Sequence, residues 1–140
     1  MKLHSTILLV LIAVLTGGPT NVQSQTMPAV VTTASGLEYY IQQKGTGPTV
    51  KDGDTVWIFE TTSYRNGTVL YTNEKKGPPI KILIGGKQVT EATEEGLRGM
   101  QAGEIRVLTA PPHLVKRKTY PPNISPDSTL VIRLILDKIE

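Results

Sequence analysis

Residues that commonly carry covalent or acid–base chemistry are few in this chain, and they are not paired. The sequence has no cysteine, and beyond residue 24 its one histidine is His113. We therefore expect no Cys/His nucleophile pair, no metal site and no cofactor. Glu94 and Glu95 are adjacent in a stretch predicted to be helical, so their side chains point in different directions and a carboxylate dyad is disfavoured. We interpret both as surface acids that favour the start of the helix dipole.

A run of three basic residues, Lys116 to Lys118, is the other charged feature with chemical potential. It falls in a stretch rich in proline and polar residues, which predicts a loop. A solvated loop is the usual explanation for such a run, and binding of an acidic ligand is the alternative.

The densest set of position-specific residues lies between residues 86 and 112 and predicts a helix between two strands. Thr90 can cap the helix through its hydroxyl, and glutamates crowd the first turns. Gly99 and Gly103 permit the left-handed backbone with which helices and turns end. We predict a helix over residues 90–100 and a strand over residues 104–109. The apolar residues of this helix fall on one narrow side, which should pack on a sheet: Val89, Ala92, Leu97 and Met100.

Two ordered motifs carry a family resemblance. From Val89 to Pro112 the residues read V-x-x-x-x-E-E-G-L-x-G-M-x-x-G-E-x-R-x-x-T-x-P-P, and from Ile124 to Val131 they read I-S-P-D-S-T-L-V. The first resembles the central signature of the FKBP-type peptidyl-prolyl cis-trans isomerases, and the second is similar to the family's I-P-P-N-A-T-L-V. With weaker matches upstream, the resemblance covers residues 36–140. It implies isomerisation of Xaa-Pro bonds, which needs an apolar pocket but no nucleophile or metal.

The resemblance also implies a peptide-binding pocket in which most of the family's aromatic side chains are replaced. Glu60 stands at the usual pocket tyrosine, Thr93 at the tryptophan of the pocket floor and Lys116 at the loop tyrosine. Loss of a tryptophan floor removes packing that is worth about 3–5 kcal/mol in a protein core, so we expect weak activity. The full predicted pocket is Glu60, Leu70, Tyr71, Ile80, Ile82, Val89, Thr90, Thr93, Lys116, Ile124 and Ile132.

The roles implied for these residues leave alternatives open. The Thr90 N–H would bind a peptide carbonyl, and Tyr71 or Glu60 would supply a polar contact. A one-residue bulge before Asn66 would put Phe59 in place of Glu60. Core packing is an equal alternative for three of the aliphatic residues, namely Leu70, Ile80 and Ile132.

The N-terminus predicts export. Lys2 precedes an apolar run over residues 7–15, and small and polar residues follow as far as Ser24. The run is shorter than the roughly 20 residues that span a membrane, which favours a secretory signal peptide over an uncleaved anchor. We predict a signal peptide over residues 1–24, a flexible lead-in over 25–35 and an FKBP-like domain over 36–140. The expected location is periplasmic or secreted, with no membrane insertion after cleavage.

Composition narrows the classes of partner. The net charge of +3 is too small to indicate nucleic-acid binding. Without cysteine the exported chain has no disulfide. Asn66 and Asn123 begin glycosylation sequons that matter only in a eukaryote, and for Asn66 we prefer a hairpin turn. We expect a monomer whose partners are proline-containing peptides or unfolded exported proteins.

Strand patterns dominate the rest of the chain and set the predicted fold class. Alternating or β-branched runs predict strands over residues 36–41, 55–64, 68–71, 79–84 and 129–139. With one helix after the fourth strand, the predicted architecture is α+β: a curved antiparallel β-sheet wrapped around one short α-helix. Three functions stay open: an FKBP-type isomerase, a non-catalytic peptide-binding or chaperone-like module on the same scaffold, and a scaffold whose 111–126 loop contacts a partner.

Overall fold

A computed structural model describes residues 17–22 and 24–140, so the apolar run of the predicted signal peptide lies outside the described residues. The elements in chain order are β1 (Val31–Thr32), β2 (Glu38–Gln43), β3 (Thr46–Thr49), β4 (Thr55–Tyr64), β5 (Val69–Thr72), β6 (Ile80–Leu83), α1 (Glu91–Leu97), β7 (Gln101–Ala102), β8 (Ile105–Ala110), a 3₁₀ helix (Pro112–Leu114) and β9 (Leu130–Ile139).

Seven of the strands form one antiparallel sheet in the order β1-β2-β8-β9-β4-β5, with β6 paired to the first half of β4. Strands β5 and β6 therefore lie end to end along the same edge of β4. This sheet and its single helix confirm the predicted α+β architecture. Strands β3 and β7 form a separate two-stranded sheet that lies outside the strands predicted from the sequence.

The two ten-residue strands, β4 and β9, form the centre of the sheet and alternate between a buried and a less buried face. On the buried face of β4 lie Val56 and Ile58, and from β9 Leu134 and Leu136 join them. Burying one face of a sheet in this way requires the period of two that the sequence has. The helix packs on β8 and β9, so the core lies between helix and sheet.

Helix α1 begins as predicted but ends earlier. Thr90 is its N-cap, and the Thr90 hydroxyl accepts a hydrogen bond from the Thr93 N–H at 3.4 Å. The helix ends at Leu97 instead of residue 100. Beyond it, Gly99 adopts a φ of +79°, and the carbonyls of Gly96 and Arg98 accept hydrogen bonds from the buried Arg106 guanidinium at 3.1 and 3.2 Å.

The predicted hairpin turn is present between β4 and β5. Gly67 has a φ of +89°, and the Asn66 side chain accepts a hydrogen bond from the Thr68 N–H at 3.0 Å. Ordered structure starts before the predicted domain boundary at residue 36, because β1 pairs with β2 and lies in the segment predicted as a flexible lead-in. No helix in residues 17–22 and 24–140 is long and apolar enough to cross a membrane.

Candidate functional site

A cavity of about 310 Å³ opens between the start of α1, the strands β5 and β6, and the loop that follows the 3₁₀ helix. Its walls are mainly aliphatic. Val89 and Thr90 enter from the helix start, Leu70 from β5, Ile80 from β6 and Ile124 from the loop. Such a concave, largely apolar site with a few polar groups is typical of ligand pockets. The lining residues are Glu60, Leu70, Tyr71, Ile80, Gln88, Val89, Thr90, Thr93, Arg117, Pro121, Asn123 and Ile124.

Eight of the residues predicted for the pocket line this cavity: Glu60, Leu70, Tyr71, Ile80, Val89, Thr90, Thr93 and Ile124. The other three do not. Ile82 and Ile132 are 2% and 1% exposed and belong to the core, so for Ile132 the structure favours the alternative of core packing. Lys116 is exposed and does not line the cavity, and its neighbour Arg117 lines it instead.

Glu60, and not Phe59, faces the cavity because of where the bulge lies. The pairing of β4 with β5 shifts between Thr62 and Ser63, whose partners are Tyr71 and Val69. The extra residue is thus Leu70 in β5, so β4 keeps its alternation and Glu60 stays on the buried face.

Glu60 is fixed in an unusual environment for a carboxyl group. It is 8% exposed, and its Oε1 accepts a hydrogen bond from the Thr62 hydroxyl at 2.8 Å. Burial raises the pKa of Glu60 above its ordinary value, and the Thr62 hydrogen bond and the charge of Arg117 oppose that rise. Asn73 fills the space between β5 and β6. Its side-chain Oδ1 accepts from the backbone N–H of Glu60 at 2.7 Å, and its backbone N–H donates to the backbone carbonyl of Glu60 at 3.2 Å.

The helix side of the cavity depends on Glu94, which we had interpreted as a surface acid. That interpretation was wrong: Glu94 is 8% exposed, and its carboxylate accepts a hydrogen bond from the Lys87 N–H at 2.9 Å. Lys87 has a φ of +54°, a left-handed conformation that costs free energy outside glycine. Glu94 therefore stabilises the turn that presents Gln88, Val89 and Thr90 to the cavity.

The loop side is held by Tyr64, a residue that the sequence analysis did not assign to the site. The Tyr64 hydroxyl donates to the Asn123 carbonyl at 2.8 Å and accepts from the Ser125 N–H at 2.9 Å. The Asn123 side chain in turn donates to the Leu70 carbonyl at 3.2 Å. These bonds place Ile124 over the cavity and join the loop to β4 and β5.

Four lining residues were missed by the sequence analysis: Gln88, Arg117, Pro121 and Asn123. Gln88 and Asn123 each adjoin a residue that was predicted. Arg117 lies one position from the predicted Lys116, in the basic run that we had interpreted as solvated, and only the path of the loop decides which of the two faces inward.

Comparison with known proteins identifies the class to which the chain belongs. Residues 47–136 match the family described as FKBP-type peptidyl-prolyl cis-trans isomerase. The chain belongs to this family, as the sequence motifs predicted.

Its relatives include both longer and similar-sized proteins. The chain is 43% identical over 96 residues to FK506-binding protein 4 of Chaetomium thermophilum, which covers 69% of this chain and 20% of that protein. It is 37% identical over 91 residues to FK506-binding protein 2 of Yarrowia lipolytica, covering 64% of this chain and 63% of the relative. This chain thus spans a fifth to somewhat under two thirds of the length of these curated relatives.

Solved structures agree on the fold. FkpA from Escherichia coli superposes with a TM-score of 0.70 at 31% identity, over 79% of this chain and 51% of that chain. AtFKBP13 superposes with a TM-score of 0.71 over 80% of this chain and 99% of that chain, and at 22% identity it supports the fold alone.

Proposed function

We propose that this protein is a weak peptidyl-prolyl cis-trans isomerase that acts on Xaa-Pro bonds of exported proteins, with the cavity as its peptide site. The observation that carries the proposal is the aliphatic wall formed by Leu70, Ile80, Val89 and Ile124 around one cavity in a chain of this family. These side chains would hold the proline ring through apolar contacts.

The reaction needs little from the protein beyond this pocket. Rotation about a peptide bond meets a barrier of about 18–20 kcal/mol, because the planar amide is stabilised by resonance. A pocket that excludes water and binds the twisted amide better than the planar one lowers that barrier. In the part of the chain that the structure describes, the Thr90 N–H takes part in no backbone hydrogen bond, so it is suited to bind the peptide carbonyl.

Weak activity is expected from the floor of the cavity. Thr93 is 1% exposed, and its hydroxyl lies 3.2 Å from that of Thr90. A threonine offers much less apolar surface than an aromatic ring, and Glu60 adds a polar group beside it. Less of the ring's surface is therefore removed from water on binding.

The test is a protease-free isomerisation assay on a chain beginning at Gln25, with test peptides that vary the residue before proline. Val89→Arg should abolish the rate enhancement, because it fills the cavity with a charged side chain. Val69→Arg is the matched control: Val69 is 55% exposed on β5, outside the lining of the cavity, and should leave the rate near that of the unaltered chain. Equal rates for the two variants would contradict the proposed site.

A second function, a non-catalytic peptide-binding or chaperone-like module, is favoured by the polar groups of Glu60, Thr93 and Arg117 within the cavity. It predicts that proline-containing peptides bind to a folded sample, that Val89→Arg prevents binding, and that no rate enhancement accompanies it. Rates comparable to those of an intact family member would exclude it.

We propose export as the setting of either function, with residues 1–24 as a cleaved signal peptide and a monomeric mature chain. Expression with the full N-terminus, sequencing of the mature N-terminus and sedimentation of the product would test both statements. A protein that keeps residues 1–24 and stays inside the cell would contradict export.

A further inference from the structure

The cavity holds one cation that no described carboxylate neutralises by direct contact. Among its lining residues, Glu60 is the one carboxylic acid and Arg117 is the one strong base. None of the ion pairs formed by the described residues includes Arg117. The Arg117 Nε is buried and has no hydrogen-bond partner. A guanidinium presents donors in a fixed fork that matches a carboxylate, so Arg117 is a donor group in need of an acceptor.

Glu60 is poorly placed to be that acceptor. Its Oε1 accepts from the Thr62 hydroxyl at 2.8 Å, and no ion pair among the described residues joins Glu60 to Arg117. Its burial also favours the uncharged acid, which further reduces any compensation. The cavity therefore keeps a positive character despite containing one acid and one base.

The surroundings of Arg117 strengthen that character. Lys116 and Lys118 flank it and are exposed, and the sequence has no aspartate or glutamate between Glu104 and Asp127. The loop is firmly attached beside the cavity. Leu114 and Val115 are each 3% exposed, and the backbone N–H of Arg117 donates to the Tyr120 hydroxyl at 3.4 Å. The cation is thus held at the site instead of being free to move away with a flexible loop.

We propose that Arg117 forms an anion subsite at the cavity, and that it makes the protein prefer peptides with an acidic side chain next to the proline. This inference rests on the proposed function, since it concerns the peptide that the same cavity would bind. An acidic neighbour would supply the acceptor that the guanidinium lacks, and Lys116 and Lys118 would attract it from solution.

The experiment compares pairs of peptides that differ only in charge, with Glu or its isostere Gln placed directly before or directly after the proline. At low salt the unaltered protein should isomerise a Glu peptide about threefold to tenfold faster than its Gln partner in at least one position, a range set by partly screened charge pairs. Arg117→Gln should bring this ratio close to one, and Arg117→Lys should keep part of it. Lys118→Gln is the matched control and should keep most of it.

The possible results separate the anion subsite from the isomerase activity. Equal rates for Glu and Gln peptides at both positions would overturn the inference and leave the isomerase intact, and a preference that survives Arg117→Gln would overturn the role of Arg117. If Arg117→Gln does not fold, the salt dependence of the ratio in the unaltered protein replaces it: a ratio that falls toward one at high salt supports the subsite, and a constant ratio overturns it.

If no peptide is isomerised, the proposed reaction fails. Binding of fluorescently labelled forms of the same Glu and Gln peptides then tests the subsite by itself. Tighter binding of the Glu peptide would support the subsite in a binding protein. Equal or absent binding would overturn it.

Discussion

At the scale of single residues, the cavity contains one buried carboxyl group, that of Glu60. The raised pKa of Glu60 has a direct consequence for stability. Between the ordinary pKa and the raised one, the unfolded chain releases its proton while the folded chain keeps it. The free energy of unfolding should therefore fall as pH rises through this window, and the loss stays constant above it.

Glu60→Gln should remove that loss. The amide can still accept the Thr62 hydrogen bond, and it has no charge to bury, so we expect the variant to be about 1 kcal/mol more stable at pH 7–8 and little changed at pH 4. Urea unfolding from pH 4 to pH 8 measures the difference. Glu38→Gln, at an exposed position in β2, is the control and should follow the unaltered protein. Parallel pH profiles for Glu60→Gln and the unaltered protein would show that burial of this carboxyl has no such cost.

How far residues of the site can be predicted depends on whether they lie in regular structure. Glu60 was found by counting along a strand from Gly67, because β4 keeps its period of two over ten residues. Arg117 was missed by one position. The 3₁₀ helix and the hydrogen bonds of Tyr64 determine the path of its loop, and these contacts join residues about 60 positions apart, which no local pattern reports.

At the scale of elements, the contact between α1 and β8 is close enough to require glycine. A Cβ atom on Gly96 would lie 2.4 Å from Leu108 Cδ1 and 2.8 Å from Leu108 Cδ2. Leu108 is fully buried, so its side chain has little room to move. This contact sets the distance between helix and sheet.

Gly96→Ala should therefore lower the free energy of unfolding by about 1–3 kcal/mol, since overpacking outweighs the better helix propensity of alanine. Leu108→Ala alone should cost about 2–5 kcal/mol. The double variant should lose less than the sum, because the new methyl group occupies part of the space that Leu108 leaves. Gly77→Ala, where a Cβ meets nothing within 4 Å, is the control. Additive losses in a denaturant double-mutant cycle would contradict this account.

Arg106 of β8 also joins these two elements. Its guanidinium forms a buried ion pair with Glu104, with side chains 6% and 4% exposed and 2.7 Å between charged atoms. The same guanidinium donates to the carbonyls of Gly96 and Arg98 at the end of the helix. These two hydrogen bonds satisfy carbonyls that the end of the helix leaves free, which favours an end at this position. The sequence could not predict that end, since it depends on a residue of the following strand.

Arg106→Met should cost about 3–5 kcal/mol, because it leaves the Glu104 carboxylate buried without its partner. Adding Glu104→Gln should recover part of that loss. Arg133→Met is the matched control: its ion pair with Glu74 is more exposed, at 31% and 19%, and the expected cost is at most about 1 kcal/mol. Thermal and urea unfolding of the four proteins provide the measurement, and similar losses for Arg106 and Arg133 would contradict the role of burial.

At the scale of the whole molecule, the segment before the predicted domain start is attached to three elements of the fold. Strand β1 pairs with β2, the Ser35 hydroxyl donates to the Glu95 carboxylate at 2.7 Å, and the Ser35 carbonyl lies 2.8 Å from His113 Nε2, whose N–H can donate to it. The segment therefore contacts the helix and the 3₁₀ helix together.

A chain that begins at residue 36 should fold but should be about 1–2 kcal/mol less stable than one that begins at residue 25, since it loses the hydrogen bonds of Ser35. Ser35→Ala in the longer chain should account for part of this loss. Urea unfolding compares the three proteins, and equal stability of the two chain lengths would support the predicted boundary at residue 36.

The global architecture was predictable where patterns are long or turns are distinctive. Strands β4 and β9 follow from alternation, and the turn at Asn66 follows from its Asn-Gly pair. The short strands β3 and β7 were not predictable. Strand β3 has four residues that include a glycine and a proline, and β7 has two residues, so neither carries a periodic signal. Their pairing depends on contacts across some 50 residues of chain.

The end-to-end arrangement of β5 and β6 also bears on self-association. A sheet edge invites strands from other molecules when it offers a long, continuous row of free backbone groups. Here each of those two strands has four residues, Asn73 interrupts the row between them, and β1 at the opposite side has two. Exposed apolar side chains such as Val69 and Leu83 lie on these edges, yet an incoming strand finds only short, broken segments to pair with. We therefore expect the short and interrupted edges to limit pairing with strands of other molecules.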